Sequence, residues 1–201
     1  MAHEKFVLRS HDADTEAWWL TEDRRYLRNA KQLLEELLVV IKEVNEGWPV
    51  KLEQTLKGED YPDLLKLCQK RDLLSDSVFI FSAMAIEGFL NYYGVLRLGA
   101  ETYNQLFERF ALDKKVKALL LVCDAVKINK NHNVIKIVNQ VSSRRNGLVH
   151  PKTKEFDKPV PIVARLGSNF PQSAQDAVRD METFFTEFLK LVPSAKHLVP
   201  N

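Results

Sequence analysis

Two adjacent arginines and a histidine lie close together in the segment Arg144-Arg145-Asn146-Gly147-Leu148-Val149-His150-Pro151. Arginine is always charged, and its planar guanidinium group fits the oxygens of a phosphate. Histidine can both accept and donate a proton near neutral pH. A phosphate-binding group beside a proton-transferring group is what cleavage of an RNA backbone without a metal ion needs. The segment therefore predicts a catalytic site formed by Arg145, Asn146 and His150.

The helix that carries this segment places Arg145 where a core residue is expected. With Val134 at zero degrees and about 100 degrees per residue, Val138, Val141 and Leu148 form one narrow apolar stripe that also contains Arg145. A charge on the core side of a helix is costly unless it is paired or faces a crevice. Arg145 therefore needs either a carboxylate partner or an anionic ligand.

The neighbouring residues form a second face. Ser142, Asn146 and His150 are spaced by four and share a stripe, whereas Arg144 is expected to be solvated and to steer an RNA backbone. On an ideal helix His150 lies about 140 degrees from Arg145. The end of the helix, the length of arginine or a second copy of the protein would have to bring them together. The structural alternative is that Arg145 makes an ion pair and His150 interacts with the helix C-terminus.

Glu87 is the only charged residue between Asp76 and Arg97, inside an otherwise apolar helix. A buried carboxylate needs a cation, or its pKa rises and it becomes neutral. Arg145 is the expected partner, so Glu87 would hold and orient it; a direct acid–base role is the alternative. Asn91 lies four residues later on the same face and is a second supporting residue.

The presence of only seven glycines and the long apolar periodicities predict an all-α protein, an antiparallel bundle of about five to seven helices. The predicted helices span about Asp14 or Thr21 to Glu46, Pro62 to Leu98, Glu101 to Phe110, Asp113 to Lys127, Asn133 to Val149 and Ser173 to Leu191. Gly47-Trp48-Pro49 is expected to end the first helix, and Asp113 and Ser173 are expected to be N-caps.

The same pattern predicts a single domain over residues 1–201, with the bundle at about 21–192. We expect a flexible N-terminal arm, a proline-rich loop over 151–172 before the last helix, and a C-terminal tail that frays. Gly88 and Gly94 indicate a close approach of helices. Cys68 and Cys123 lie in apolar helical patterns, which favours buried free thiols over a disulfide.

The composition, with 45% hydrophobic and 28% charged residues, is typical of a soluble globular protein. A formal net charge of only +2 excludes an extensive basic surface, so contact with RNA would use a local patch. The candidate patch comprises Lys114, Lys115 and Lys117 together with Lys152, Lys154 and Lys158. The structural alternative for the first three is an ordinary solvated face.

The sequence contains no CxxC, HExxH or glycine-rich phosphate loop, so we expect neither a metal ion nor a cofactor. No stretch approaches the roughly 18 apolar residues of a membrane span. The N-terminus lacks the apolar segment of a signal peptide. These features predict a cytoplasmic protein without a membrane-spanning segment.

A buried helix with Glu87-x-x-x-Asn91, followed by a later helix that ends in Arg145-Asn146-x-x-x-His150, resembles the HEPN superfamily of helical nucleotide- and RNA-associated domains. The matching element is the family's Arg-x4-6-His motif, here with four intervening residues and with Asn146 directly after the arginine. Many domains with this motif are metal-independent endoribonucleases of toxin, antiviral or RNA-processing systems. They dimerise so that two motifs line one cleft.

Three hypotheses follow. The first is a homodimeric endoribonuclease of a defence or toxin–antitoxin system, with an antitoxin as partner. The second is a non-catalytic HEPN-like module that binds nucleotides, RNA or a protein such as a nucleotidyltransferase. The third is an unrelated helical bundle. Two copies of Arg145 and His150 in one basic cleft would favour the first, whereas an Arg145 held by Glu87, with His150 in bulk water, would favour the others.

Overall fold

The computed structural model describes residues 8–11, 17–20, 22–55, 62–149 and 170–200. Within these ranges the chain forms six α-helices: α1 (Asp23–Thr55), α2 (Pro62–Leu98), α3 (Ala100–Leu106), α4 (Leu112–Asp124), α5 (Asn133–Val149) and α6 (Phe170–Leu191). A 3-10 helix, Pro193–His197, follows α6. The predicted all-α helical bundle is confirmed.

Helix α2 is the centre of the bundle, because it packs against all five other α-helices. The sequence predicts this position, since α2 is apolar on nearly all sides between Val78 and Val95. Phe89 is fully buried, and its ring meets three phenylalanine rings of α6 edge to face, those of Phe184, Phe185 and Phe188. Aromatic clusters of this kind contribute more than the burial of their area.

Helix α2 also corrects the expectation about apolar stretches. An 18-residue window within it has a mean hydropathy of 1.6, enough by length and composition alone to cross a membrane. It is the only such helix in the part of the chain that the structure describes. However, 56% of that window is buried inside the protein, as in the core helix of a soluble protein.

Helix α1 runs antiparallel to α2 and is longer than predicted. Tyr26 stacks on Phe81 with ring centroids 6.0 Å apart, and Glu36 pairs with Lys70 at 3.0 Å. The predicted end at Gly47-Trp48-Pro49 is wrong, because α1 continues to Thr55. A Cβ at Gly47 would lie 3.8 Å from Leu64, so α1 still lies against α2 there.

The N-terminal segment contains a short hairpin instead of only a flexible arm. Strand β1 (Leu8–His11) pairs antiparallel with strand β2 (Ala17–Leu20), with Leu8 opposite Leu20. The alternative helix start at Asp14 is therefore wrong, since residues 17–20 are extended. Tryptophan, found here at positions 18 and 19, is a residue type that strands favour.

Two other helix ends differ from prediction. Helix α4 begins at Leu112 after Ala111, so Asp113 is not the N-cap; it lies in the first turn and pairs with Lys117 at 3.5 Å. The helix ends at Asp124, earlier than predicted, because Ala125 adopts a left-handed conformation with φ of 56°. Helix α3 likewise ends at Leu106 instead of Phe110.

Helix α5 has the predicted bounds, Asn133–Val149. Helix α6 begins at Phe170, so Ser173 lies inside the helix and is not its N-cap. Pro171 is compatible with this start, because the first amides of a helix have no intrahelical acceptor. Residues 151–169 of the predicted proline-rich loop lie outside the described residues. Its last three residues, 170–172, belong to α6.

The C-terminal tail does not fray over its described part. Val192, Ala195, Leu198 and Val199 are each at most 7% exposed and belong to the hydrophobic core. Pro193 ends α6 as predicted but also begins the 3-10 helix. The tail stays on the core because its apolar residues bury their surface there.

The cysteines are free thiols, as predicted, with Cys68 buried and Cys123 half-buried. Burial raises the pKa of both thiols above the ordinary value. Neither thiol therefore has the lowered pKa that characterises a reactive cysteine.

The two glycines of α2 lie at close helix contacts, which confirms their predicted role. A Cβ at Gly88 would lie 3.4 Å from the backbone of Asp23, so this glycine lets the start of α1 approach α2. A Cβ at Gly94 would overlap the ring of Tyr103 and lie 3.1 Å from Leu119. Tyr103 is 2% exposed, so its ring has no free space into which to move.

We predict that Gly94→Ala lowers the free energy of unfolding by about 1–3 kcal/mol, the usual cost of overpacking a core. The control is Gly147→Ala in α5, where nothing lies within 4 Å of the added methyl, so a gain of about 0.5–1 kcal/mol is expected. Urea denaturation of both variants measures the difference. A Gly94→Ala protein as stable as wild type would contradict the described packing of Tyr103.

Candidate functional site

Helix α5 carries the predicted catalytic segment to the edge of the core. His132 precedes the helix, and its Nδ1 accepts a hydrogen bond from the Val134 amide at 3.3 Å, which satisfies a donor of the first turn. The buried face of α5 comprises Val134, Ile135, Ile137, Val138 and Val141. Towards the C-terminal end, Asn146 and Gly147 are exposed. The last turns of α5 are therefore accessible from solvent.

Arg145 pairs with Glu87, as the sequence predicts. The Nη2 atom of Arg145 lies 3.3 Å from Oε2 of Glu87, and the two side chains are 31% and 37% exposed, respectively. The expected deep burial of Glu87 is therefore wrong, because the carboxylate lies on a side of α2 that keeps contact with water. This position avoids most of the desolvation cost that a fully buried ion pair incurs.

The guanidinium group keeps contact with solvent, since the Arg145 side chain is 31% exposed. Arginine has five N–H donors in a fixed fork, and within the described part of the chain Glu87 accepts from one nitrogen of Arg145. A partly exposed ion pair of this kind contributes only about 0–1 kcal/mol to stability. Its main consequence is positional, since it fixes where a positive, hydrogen-bonding group meets solvent.

Asn91, one turn after Glu87 on α2, is the acceptor for two buried donors. Its Oδ1 accepts hydrogen bonds from the Tyr103 hydroxyl at 2.6 Å and from the Lys115 ammonium at 2.7 Å. Helices α2, α3 and α4 are thereby joined at one atom. The observed partners of Asn91 are therefore Tyr103 and Lys115, and its supporting role at the site stays a prediction.

Lys115 is 1% exposed, which corrects the expectation of a solvated basic stretch. Its ammonium also lies 5.8 Å from the centre of the Tyr103 ring, within the range of a cation–π contact. Burial lowers the pKa of Lys115, while the carboxylates of Glu87 and Glu108 act in the opposite direction. Burial, together with the same two carboxylates, raises the pKa of Tyr103.

Arg144 is not simply solvated, contrary to expectation. Its guanidinium lies 3.5 Å from Asp180 of α6 and 5.7 Å from the centre of the Phe79 ring of α2. Its side chain is 28% exposed and that of Asp180 is 16% exposed. The two adjacent arginines therefore pair with carboxylates of different helices, Arg145 with Glu87 of α2 and Arg144 with Asp180 of α6.

The remaining predicted site residues are not brought together by described contacts. The Ser142 hydroxyl is buried and has no hydrogen-bond partner among the residues that the structure describes. Asn146 is exposed. His150 lies outside the described residues, so the predicted proximity of Arg145 and His150 stays a prediction.

The candidate basic patch is only partly available. Lys114 is exposed, Lys117 pairs with Asp113, and Lys115 is buried. The lysines of the second group, Lys152, Lys154 and Lys158, lie outside the described residues. Of the three described lysines, Lys114 is the one whose charge faces solvent without an ion-pair partner in the described ranges.

Sequence reasoning missed Lys115, Tyr103 and Asp180 as parts of this polar network. A signal for Lys115 was present, because it lies three residues after Leu112 and four before Leu119, both of which are buried. A lysine within an apolar stripe indicates a charge on the buried side of its helix, as Arg145 does on α5. No comparable signal marks Asp180, whose role depends on how α5 and α6 pack.

A second polar cluster lies at the C-terminal end of α2, just after Asn91. Asp124 accepts a hydrogen bond from Tyr93 and pairs with Arg97 at 2.8 Å. A cavity of about 150 Å³ adjoins it, lined by Tyr93, Leu96, Arg97, Ser194, Ala195, His197 and Leu198. Because no predicted site residue lines this cavity, it is separate from the Arg145 region.

The described residues contain no cluster of three or more histidine, cysteine, aspartate or glutamate side chains that could hold a metal ion. Comparison of the chain with protein-family models, curated proteins and solved structures gives no match. The resemblance to the HEPN superfamily therefore stays a prediction.

We predict that Asn91→Leu destabilises the protein by about 3 kcal/mol, because the buried Lys115 ammonium and Tyr103 hydroxyl lose their acceptor. The matched control is Asn104→Leu on α3, an exposed site where a change within about 0.5 kcal/mol is expected. Chemical denaturation of the two variants measures both values. Equal effects at the two sites would show that Asn91 is not the acceptor described.

A second prediction concerns pH. Burial raises the pKa of Asp180, although Arg144 and Arg179 counteract it. The folded protein therefore binds this proton more tightly than the unfolded chain, and wild type should lose stability relative to Asp180→Asn as pH rises above about 4. Unfolding free energies at pH 3 and pH 6 test this, with the exposed Asp63→Asn as the control substitution. A constant difference between wild type and Asp180→Asn would contradict the stated burial.

Proposed function

We propose that this protein is a HEPN-like, metal-independent endoribonuclease that works as a homodimer. The observation that carries the proposal is the Arg145 guanidinium, held at the edge of the core by Glu87 at 3.3 Å while 31% exposed. It lies in the last turns of α5, five residues before His150. A fixed, accessible arginine close in sequence to a histidine is suited to an RNA phosphodiester.

The proposed reaction is attack of a ribose 2′-oxygen on the adjacent phosphorus. The new 2′-oxygen–phosphorus bond forms as the bond to the 5′-oxygen breaks, which leaves a 2′,3′-cyclic phosphate and a 5′-hydroxyl. One proton leaves the 2′-hydroxyl and one is delivered to the 5′-oxygen. His150 acts as the general base or acid, a role that typically contributes about 10²–10⁴-fold.

Arg145 holds the scissile phosphate and stabilises the charge that grows on its oxygens. Glu87 is the supporting residue that orients Arg145. Asn146 orients His150 or donates to the phosphate. Each chain supplies one such histidine, so the histidine of a second copy transfers the other proton.

The partners follow from the same proposal. RNA contacts a local patch that includes Lys114, and Arg144 steers the backbone only if it leaves Asp180, which it contacts at 3.5 Å. An antitoxin or a nucleotidyltransferase is the protein partner in a defence or toxin–antitoxin system. The proposed location is the cytoplasm, where RNA is the available substrate.

The alternative is a non-catalytic module that binds nucleotides, RNA or a protein partner. The ion pair itself favours this alternative, because Glu87 neutralises part of the charge of Arg145 and competes with a phosphate. In a binding module the same guanidinium takes up a phosphate without a proton transfer. The two functions therefore differ in the role of His150 and agree in the role of Arg145.

We predict that the purified protein cleaves single-stranded RNA in the presence of EDTA and leaves 2′,3′-cyclic phosphate ends. His150→Ala should reduce the rate by at least about 100-fold, and Arg145→Ala by about 10²–10³-fold. The matched controls, His197→Ala and Arg179→Ala, alter exposed residues and should keep wild-type rates. DNA should remain intact because it lacks the 2′-hydroxyl.

Three outcomes separate the alternatives. Binding of RNA that depends on Arg145 but is never followed by cleavage would support the binding module. Equal cleavage of DNA and RNA would exclude the 2′-hydroxyl mechanism. Sedimentation of an active sample as a monomer would exclude the shared, two-histidine site.

A further inference from the structure

Lys115 has an unusual environment for a lysine. It is 1% exposed, and its ammonium donates to Asn91 Oδ1 at 2.7 Å and lies 5.8 Å from the centre of the Tyr103 ring. It forms no direct ion pair within the described ranges. An isolated buried ammonium is costly, and burial lowers the pKa of Lys115, so nearby negative charge favours its charged form.

Glu87 supplies that charge from α2. It precedes Asn91 by one turn, so both side chains lie on the same face, and Asn91 contacts Lys115 directly. The charge of Glu87 acts on Lys115, and so does that of Glu108, which is an exposed residue after α3. Solvent screens an exposed carboxylate more than a half-buried one, so Glu87 is the more effective of the two.

Glu87 therefore lies near two cations. Arg145 contacts it directly at 3.3 Å, whereas Lys115 is linked to it through Asn91, which lies one turn away on α2 and accepts from the ammonium. Solvent screens the exposed Glu108, so it offsets the charge of Lys115 only in part, and the region around the exposed guanidinium keeps an excess of positive charge. A simple Arg145–Glu87 pair would be neutral and would attract a phosphate less.

We propose that Lys115 is a positioning residue that acts through Asn91 and Glu87 to keep the exposed Arg145 guanidinium in place and electrostatically free to bind a phosphodiester. Lys115 does not touch the RNA. The effect of Lys115 on RNA binding rests on the proposed function. The proposed coupling of Lys115, Glu87 and Arg145 does not, since it concerns the protein without RNA.

The first test needs no RNA and no change at Lys115. NMR titration of the Lys115 ammonium is compared in wild type, Glu87→Gln and Arg145→Gln. Loss of Glu87 should lower the pKa of Lys115, because its anion is removed, whereas loss of Arg145 should raise it, because a competing cation is removed. Arg179→Gln on α6 is the control and should leave the titration unchanged. Absence of these opposite shifts would overturn the proposal.

The second test measures binding of a 2′-O-methylated, non-cleavable RNA. Lys115→Met should weaken binding by about fivefold, the lower end of typical coupling between sites. Lys115→Arg should restore most of that loss, and the exposed Lys114→Met should have a smaller effect that weakens further with added salt. Thermal unfolding of each variant identifies a loss that is due to misfolding.

The two tests fail in distinguishable ways. If Arg145→Ala abolishes RNA binding while a folded Lys115→Met protein binds normally, the positioning role is overturned and the proposed function stands. If neither variant affects RNA binding, the proposed function fails. In that case the opposite shifts in the pKa of Lys115 would still support the coupling of Lys115, Glu87 and Arg145, without a role in RNA binding. Equal losses for Lys115→Met and Lys115→Arg would also overturn the proposal, because the charge would then not matter.

Discussion

The polar groups of α2 impose the main constraint on this structure, because its largely apolar stretch from Val78 to Val95 carries Glu87 and Asn91 on one face. Each must find a partner or remain in contact with water. Asn91 accepts from Tyr103 and Lys115, and Glu87 pairs with Arg145. These contacts join α3, α4 and α5 to α2, and they hold the guanidinium of Arg145 at the edge of the core.

Much of the fold was predictable because a strong apolar periodicity decides where a helix forms and which side of it is buried. The bounds of α2 and α5 follow from the apolar spacing and from the flanking glycine and proline residues. The Glu87–Arg145 pair was predictable for a related reason, since each residue is a lone charge within an apolar stripe. Two opposite charges that each lie in an apolar stripe of neighbouring helices are expected to form an ion pair.

Other features depend on packing that the sequence does not display. Helix α1 continues through Gly47 and Pro49 and lies against Leu64 of α2 at Gly47, and Arg144 reaches Asp180 only once α6 lies beside α5. Lys115 was misjudged because three nearby lysines indicate a solvated face, although its spacing to Leu112 and Leu119 places it inside. His150 lies outside the described residues, so its role still depends on the motif.

The central claim is that Glu87 and Arg145 interact and thereby fix the site, and a double-mutant cycle on the free energy of unfolding tests it most directly. For Glu87→Ala and Arg145→Ala we expect a coupling of about 0.5–1 kcal/mol. The matched cycle of Glu87→Ala with Arg144→Ala should be additive, because Arg144 pairs with Asp180. Additive effects for Glu87 and Arg145 as well would contradict the account.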